Sequence, residues 1–152
     1  MGNSSPLPSK TNDDWNAHLA SASSIETDYQ NDDWDTLFLD IQDVEPLFSA
    51  PIGLAVLVSD HEFEQLEETV ETIAIDTTHV YRNQTENTHY LIIVAEASGA
   101  NHAIIIPAFL HNKQYEKLHQ HTEHEDTIHT TIRSLGTDAR VTISHNDPTV
   151  FF

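Results

Sequence analysis

The chain has 152 residues, no cysteine, and 6 Lys plus Arg against 25 Asp plus Glu, for a formal net charge of −19. That length suits one domain with a core of its own, and the missing thiols exclude disulfide, thiolate-metal and cysteine-nucleophile chemistry. So few cations argue against nucleic acid and against an anionic membrane surface, since both are held chiefly by clustered Lys and Arg.

Carboxylates are scattered from Asp13 to Asp147 among apolar residues rather than gathered in one tail. Two explanations then compete. One is an acidic mimic of nucleic acid that sequesters basic partners. The other, which is favoured, is adaptation to molar salt, where a screening length of about 3 Å removes most repulsion between surface carboxylates. No apolar run approaches the ~20 residues that cross a bilayer, and the start of the chain, Met1 to Pro6, lacks an apolar signal core. A cytoplasmic protein is expected.

Residues 1–11, rich in Ser, Pro and Asn, are predicted to be a disordered tail, and residues 12–152 a single domain. Thr11 or Asn12 caps a first helix, because Trp15, Leu19, Ala22, Ile25 and Tyr29 recur at spacings of three and four and so share one face. Asp32-Asp33-Trp34-Asp35 ends it, a short strand follows from Thr36 to Ile41, and the two prolines in Gln42 to Pro51 predict a loop. Ile52 to Val58, apolar throughout, reads as a strand buried on both faces. Ser59 and Glu62 have capping-box spacing. The helix they open turns Phe63, Leu66, Val70 and Ile73 inward and Glu64, Glu67, Glu68 and Glu71 outward.

After a strand at about His79 to Asn83 comes the centre of the chain, His89 to Phe109. Its two apolar runs, Tyr90 to Ala95 and Ala103 to Ile106, flank a turn for which Gly99 and Asn101 supply the chemistry, so a long central hairpin is predicted, with Pro107 ending its second strand. A helix from about Asn112 to His121 turns Tyr115 and Leu118 inward, and alternating strands at Ile128 to Arg133 and Arg140 to Ser144 close the chain. From residue 52 the order strand, helix, strand, strand occurs twice, so residues 52–100 and 101–152 read as pseudo-repeats after an N-terminal segment, 12–51. The fold class expected is α+β: a mixed or antiparallel sheet of about six or seven strands built from two βαββ-like units, helices on one face, plus the N-terminal helix.

Four stretches, Asp32 to Leu37, Gln42 to Val44, Gly53 to Val58 and His145 to Phe152, resemble a family of small acidic haloarchaeal proteins of unknown function. The resemblance runs from about Trp15 to the C-terminus and implies a cytoplasmic protein of a salt-accumulating cell. It carries no activity and no site residues.

Eleven histidines are the compositional oddity, and five of them fall between His111 and His129. His119, His121 and His124 are the candidate metal ligands, for Zn or a similar ion, with Glu123 or Glu125 beside them. On a helix His119 and His121 point about 200° apart, so both could hold one metal only if the helix ends near Gln120, and a solvated helix end is the favoured reading. Trp34 is either a core anchor or an aromatic contact in a small-ligand cleft. Phe151 and Phe152 either close the core or dock on a second copy. Nucleophile elbows, phosphate-cradling loops and dinucleotide fingerprints are missing. The expected function is a non-enzymatic interaction or regulatory module, as a homodimer or with another protein. The alternatives are a His-cluster metal protein or metalloenzyme, a small-ligand domain, and the acidic mimic.

Overall fold

The computed structural model describes residues 12–152, so the predicted tail, residues 1–11, lies outside the described residues. The first helix, α1 (Asn12–Asn31), ends by a mechanism its sequence encodes. Asp33 takes the left-handed conformation (φ 67°). Its N–H donates to the Gln30 carbonyl, and the Trp34 N–H donates to that of Tyr29. This is the double hydrogen bond of a Schellman stop, and the apolar contact that usually accompanies it is the Tyr29 and Trp34 rings, 5.2 Å apart.

Eight strands follow: β1 (Asp35–Phe38), β2 (Asp43–Leu47), β3 (Gly53–Val58), β4 (Thr77–Gln84), β5 (Thr88–Ala97), β6 (His102–His111), β7 (Ile128–Ser134) and β8 (Arg140–His145). Helix α2 (Asp60–Thr72) lies between β3 and β4, and α3 (Asn112–Thr122) between β6 and β7. The class is α+β as the sequence implies, but the strands form two four-stranded mixed sheets, β1-β6-β5-β4 and β2-β3-β7-β8, instead of one. Long-range pairing produces the split. β3 leaves its own unit to run parallel to β7, and β6 pairs antiparallel with β5. The element order therefore recurs in the two halves while their strand pairing differs.

Two local expectations are corrected. The stretch read as a loop contains β2, an edge strand that tolerates Pro46 because only one of its sides must bond. Pro107 does not end β6, which continues to His111. The Ile105 carbonyl accepts from Leu39 on the β1 side, and alternation puts position 107 on that side too. Proline's missing donor thus ends β1, whose last paired residue is Phe38. In the β5–β6 turn it is Asn101 (φ 49°), rather than Gly99, that adopts the left-handed conformation.

The alternation of β5 and β6 sorts their side chains between two clusters. Ile92, Val94, Ala103 and Ile105 face α1, where they meet Ala22 with Ile25, Tyr29 and Trp34 around them. Leu91, Ile93, Ile104 and Ile106 face the main core. The second sheet supplies Leu54, Val56, Val58 and Ile132 to that core, and Phe63, Leu66 and Leu118 enter it from α2 and α3. Ser59 caps α2 as expected, its hydroxyl accepting from the Glu62 N–H at 3.2 Å, but the Glu62 carboxylate bonds the Asp40 N–H instead of closing the box.

Candidate functional site

The structure separates the three histidines proposed from sequence. His119 stacks on Phe152 (4.5 Å, 7° between planes), while His121 leans on Phe48 and bonds the Lys117 carbonyl at 2.9 Å. His124 is exposed beyond the helix. Among the described residues no three His, Asp or Glu side chains are grouped so as to hold a metal ion. Trp34 serves as the anchor of the helix stop. Phe151 is 1% exposed inside the main core, against His145, and Phe152 lies half-buried on Tyr115 and His119.

Two surface features on the α1 side of the first sheet replace them. One is the outer edge of β4. The Thr85 N–H donates to the Thr88 carbonyl at the turn, which by alternation points the backbone of Asn83, Tyr81 and His79 toward β5 and that of Thr78, Val80, Arg82 and Gln84 away from it. No backbone partner takes the outward groups of Thr78, Val80 or Arg82 among the described residues; Gln84 N–H is met by the Asn83 side chain. Tyr81 stands out from this strand 47% exposed.

The second feature is a groove of about 420 Å³ between the first half of α1 and strands β4 and β5. Small residues of α1 (Ala17, Ser21, Ser24) leave room for it, and Tyr81, Tyr90 and Ile92 line the sheet side. At its inner end the Tyr90 ring packs 5.1 Å from His18, whose Nε2 donates to the Leu91 carbonyl at 2.8 Å. Burial holds the His18 pKa below its ordinary value, which favours a neutral imidazole. Tyr90 is 2% exposed, and its hydroxyl has no hydrogen-bond partner among the described residues.

A family of unknown function, DUF7529, matches residues 4–152. The chain belongs to that family. No curated protein and no solved structure matches it. Family membership therefore brings no activity to this DUF7529 chain, and its chemistry must be read from side chains.

Four polar constellations were not foreseen, because each joins residues far apart in sequence. His145, 1% exposed, links the two sheets: Nδ1 lies 2.6 Å from the Thr78 hydroxyl and Nε2 2.8 Å from that of Thr130. Desolvation, with a smaller repulsion from His129, lowers its pKa to about 4. Asp60, in the first turn of α2, accepts from the Ser134 hydroxyl and the Gly136 N–H, which pins the β7–β8 turn and lowers the Asp60 pKa. Tyr29 donates to Glu96, and burial followed by that bond raises the tyrosine pKa. His129 and Ser144 pair at 2.9 Å across β7 and β8 on the open face of the second sheet. This last pair has the elements of a base and a nucleophile, but the other ring nitrogen faces Thr127 at 3.4 Å in place of an orienting carboxylate.

No described helix is long and apolar enough to cross a membrane.

Proposed function

We propose that the protein is a non-enzymatic interaction module of a salt-accumulating cytoplasm, and that it assembles as a homodimer through β4. The observation that carries this reading is the outer edge of β4, where the outward backbone groups of Thr78, Val80 and Arg82 have no backbone partner among the described residues. Soluble proteins blunt such edges with charge, proline or short length. β1 and β2 obey that rule, being four and five residues long with Asp35, Asp43, Glu45 and Pro46 among them. β4 has eight residues and no carboxylate, in a chain of net charge −19. β8 also lacks a carboxylate but is shorter, at six residues, and carries no exposed aromatic side chain.

The edge is self-complementary. In an antiparallel two-fold pairing centred on Tyr81, Thr78 meets the second copy's Gln84 and Val80 meets its Arg82, so the outward backbone groups bond one another. Tyr81 then faces its own counterpart, as a close cross-strand aromatic pair. Asp76 and Glu86 flank the strand and oppose each other in this register, so salt that screens them favours assembly.

Sedimentation in molar KCl tests the proposal. A dimer is expected that weakens on dilution into low salt. Val80→Pro removes an outward donor without touching the β4–β5 ladder, and Tyr81→Lys puts a charge at the two-fold; both are expected to give monomers with native near-UV spectra. A monomeric parent chain at high concentration in molar KCl, or a dimer that survives both substitutions, overturns it.

A further inference from the structure

The groove under α1 shares Tyr81 and Arg82 with the edge pairing, but adding a strand beside β4 leaves the α1 face of the sheet open. We infer that this groove is a binding site for a small organic cation with an apolar body, an aromatic or aliphatic amine. Three observations point there.

The groove has the volume of a small-molecule site and an apolar lining in Ile25 and Ile92, with two tyrosines, Tyr81 and Tyr90, whose rings attract a cation over their faces. Its lining holds one carboxylate and one guanidinium residue, and the guanidinium is engaged elsewhere. Asp14 stands at the rim, and of the described residues that line it Arg82 alone is cationic; its guanidinium donates to the Phe152 carbonyl. In a chain of net charge −19 the surrounding field further favours a cation over an anion. The polar lining includes the hydroxyls of Ser21, Ser24 and Thr85 and the Asn83 amide, with the Tyr90 hydroxyl at the inner end. That last group is buried and without a partner among the described residues, which is uncommon for a tyrosine hydroxyl. An ammonium or amine N–H reaching it supplies the missing donor, and the oxygen accepts.

Three probes of one shape separate charge from size: benzylamine, benzyl alcohol and benzoate, titrated into the full chain and followed by amide chemical shifts. Benzylamine is expected to bind at least about tenfold more tightly than benzoate, as a charge-assisted hydrogen bond would give, with benzyl alcohol between them and shifts confined to α1, β4 and β5. Tyr90→Phe is expected to weaken benzylamine by about tenfold. Ser21→Trp, on the exposed side of α1, fills the groove and is expected to abolish binding of all three with helix content unchanged. Should the tryptophan variant lose helix content, the Tyr90→Phe comparison stands alone. Equal binding of benzoate and benzylamine, shifts elsewhere, or full affinity in Tyr90→Phe overturns the inference. The edge variant Val80→Pro separates the two proposals, since it removes the dimer and leaves the groove's lining intact.

Discussion

Replacing His145 by Gln and following stability across pH tests whether the imidazole joining the two sheets is buried neutral. Its ring nitrogens sit between Thr78 and Thr130, so in the neutral form one donates and the other accepts. Both hydroxyls can also accept, so a proton would leave the hydrogen bonds intact; what it costs is a charge placed in the core. The pKa falls from 6.5 to about 4, first through burial and then through His129. At about 1.4 kcal/mol per unit, that shift corresponds to about 3 kcal/mol. Between these two values the unfolded chain binds the proton and the native chain does not, so stability rises with pH through the window. The contribution is complete above pH 6.5 and lost by about pH 4. Gln keeps a donor and an acceptor but does not titrate. In urea unfolding at matched high salt, the parent should therefore lose about 3 kcal/mol more than His145→Gln as the pH falls from 6.5 to 4. Carboxylates titrate in both chains and cancel from the difference. A stability difference that is the same at both pH values would refute the buried neutral imidazole.

Two further predictions concern backbone. Gly53 has φ 152°, and a Cβ there would lie 1.8 Å from the His129 carbonyl oxygen, so Gly53→Ala should push β3 from β7 and cost at least about 2 kcal/mol in denaturant unfolding; an unchanged midpoint would contradict the close approach. Asp33→Gly, at the left-handed residue of the helix stop, should instead raise stability by about 0.5–1 kcal/mol, and a loss would mean that the carboxylate itself contributes there.

What could be read from the sequence was local. The period of Trp15, Leu19, Ala22, Ile25 and Tyr29 gives α1, and the Ser59 cap places the start of α2 correctly. The turn between Tyr90 to Ala95 and Ala103 to Ile106 likewise gives the central β5–β6 hairpin. Periodicity cannot say that β3 pairs with β7, so the split into two sheets was invisible, and so was the bridging role of His145. Proline was over-read twice. Its cost depends on whether the missing donor faces a partner, which for Pro46 and Pro107 only the neighbouring strands decide. The groove joins residues of α1 up to Ile25 with β4 from Tyr81 on, more than fifty residues apart in the chain. It did leave a signal: Ala17, Ser21 and Ser24 run at helical spacing beside the apolar stripe, and a file of small residues on a packed helix leaves space.

The distribution of negative charge is more informative than its amount. Most carboxylate-free stretches are strands buried in the core, such as Leu91 to Ala95 and Ala103 to Leu110, where a carboxylate would have to lose its hydration. β4 has no such reason to exclude carboxylates, since His79 and every residue from Tyr81 to Gln84 are exposed. If acidity served solubility alone, an exposed strand would be a natural place for it, and α2 shows this with Glu64, Glu67, Glu68 and Glu71 on its open face. In the proposed dimer, sparing β4 while flanking it with Asp76 and Glu86 would leave its backbone able to pair and set a salt-dependent gate at each end. Replacing the gate tests this directly. Asp76 also holds the Ser98 N–H, so Glu86→Gln is the cleaner change, and it should make assembly less dependent on salt while leaving the dimer in molar KCl unaltered.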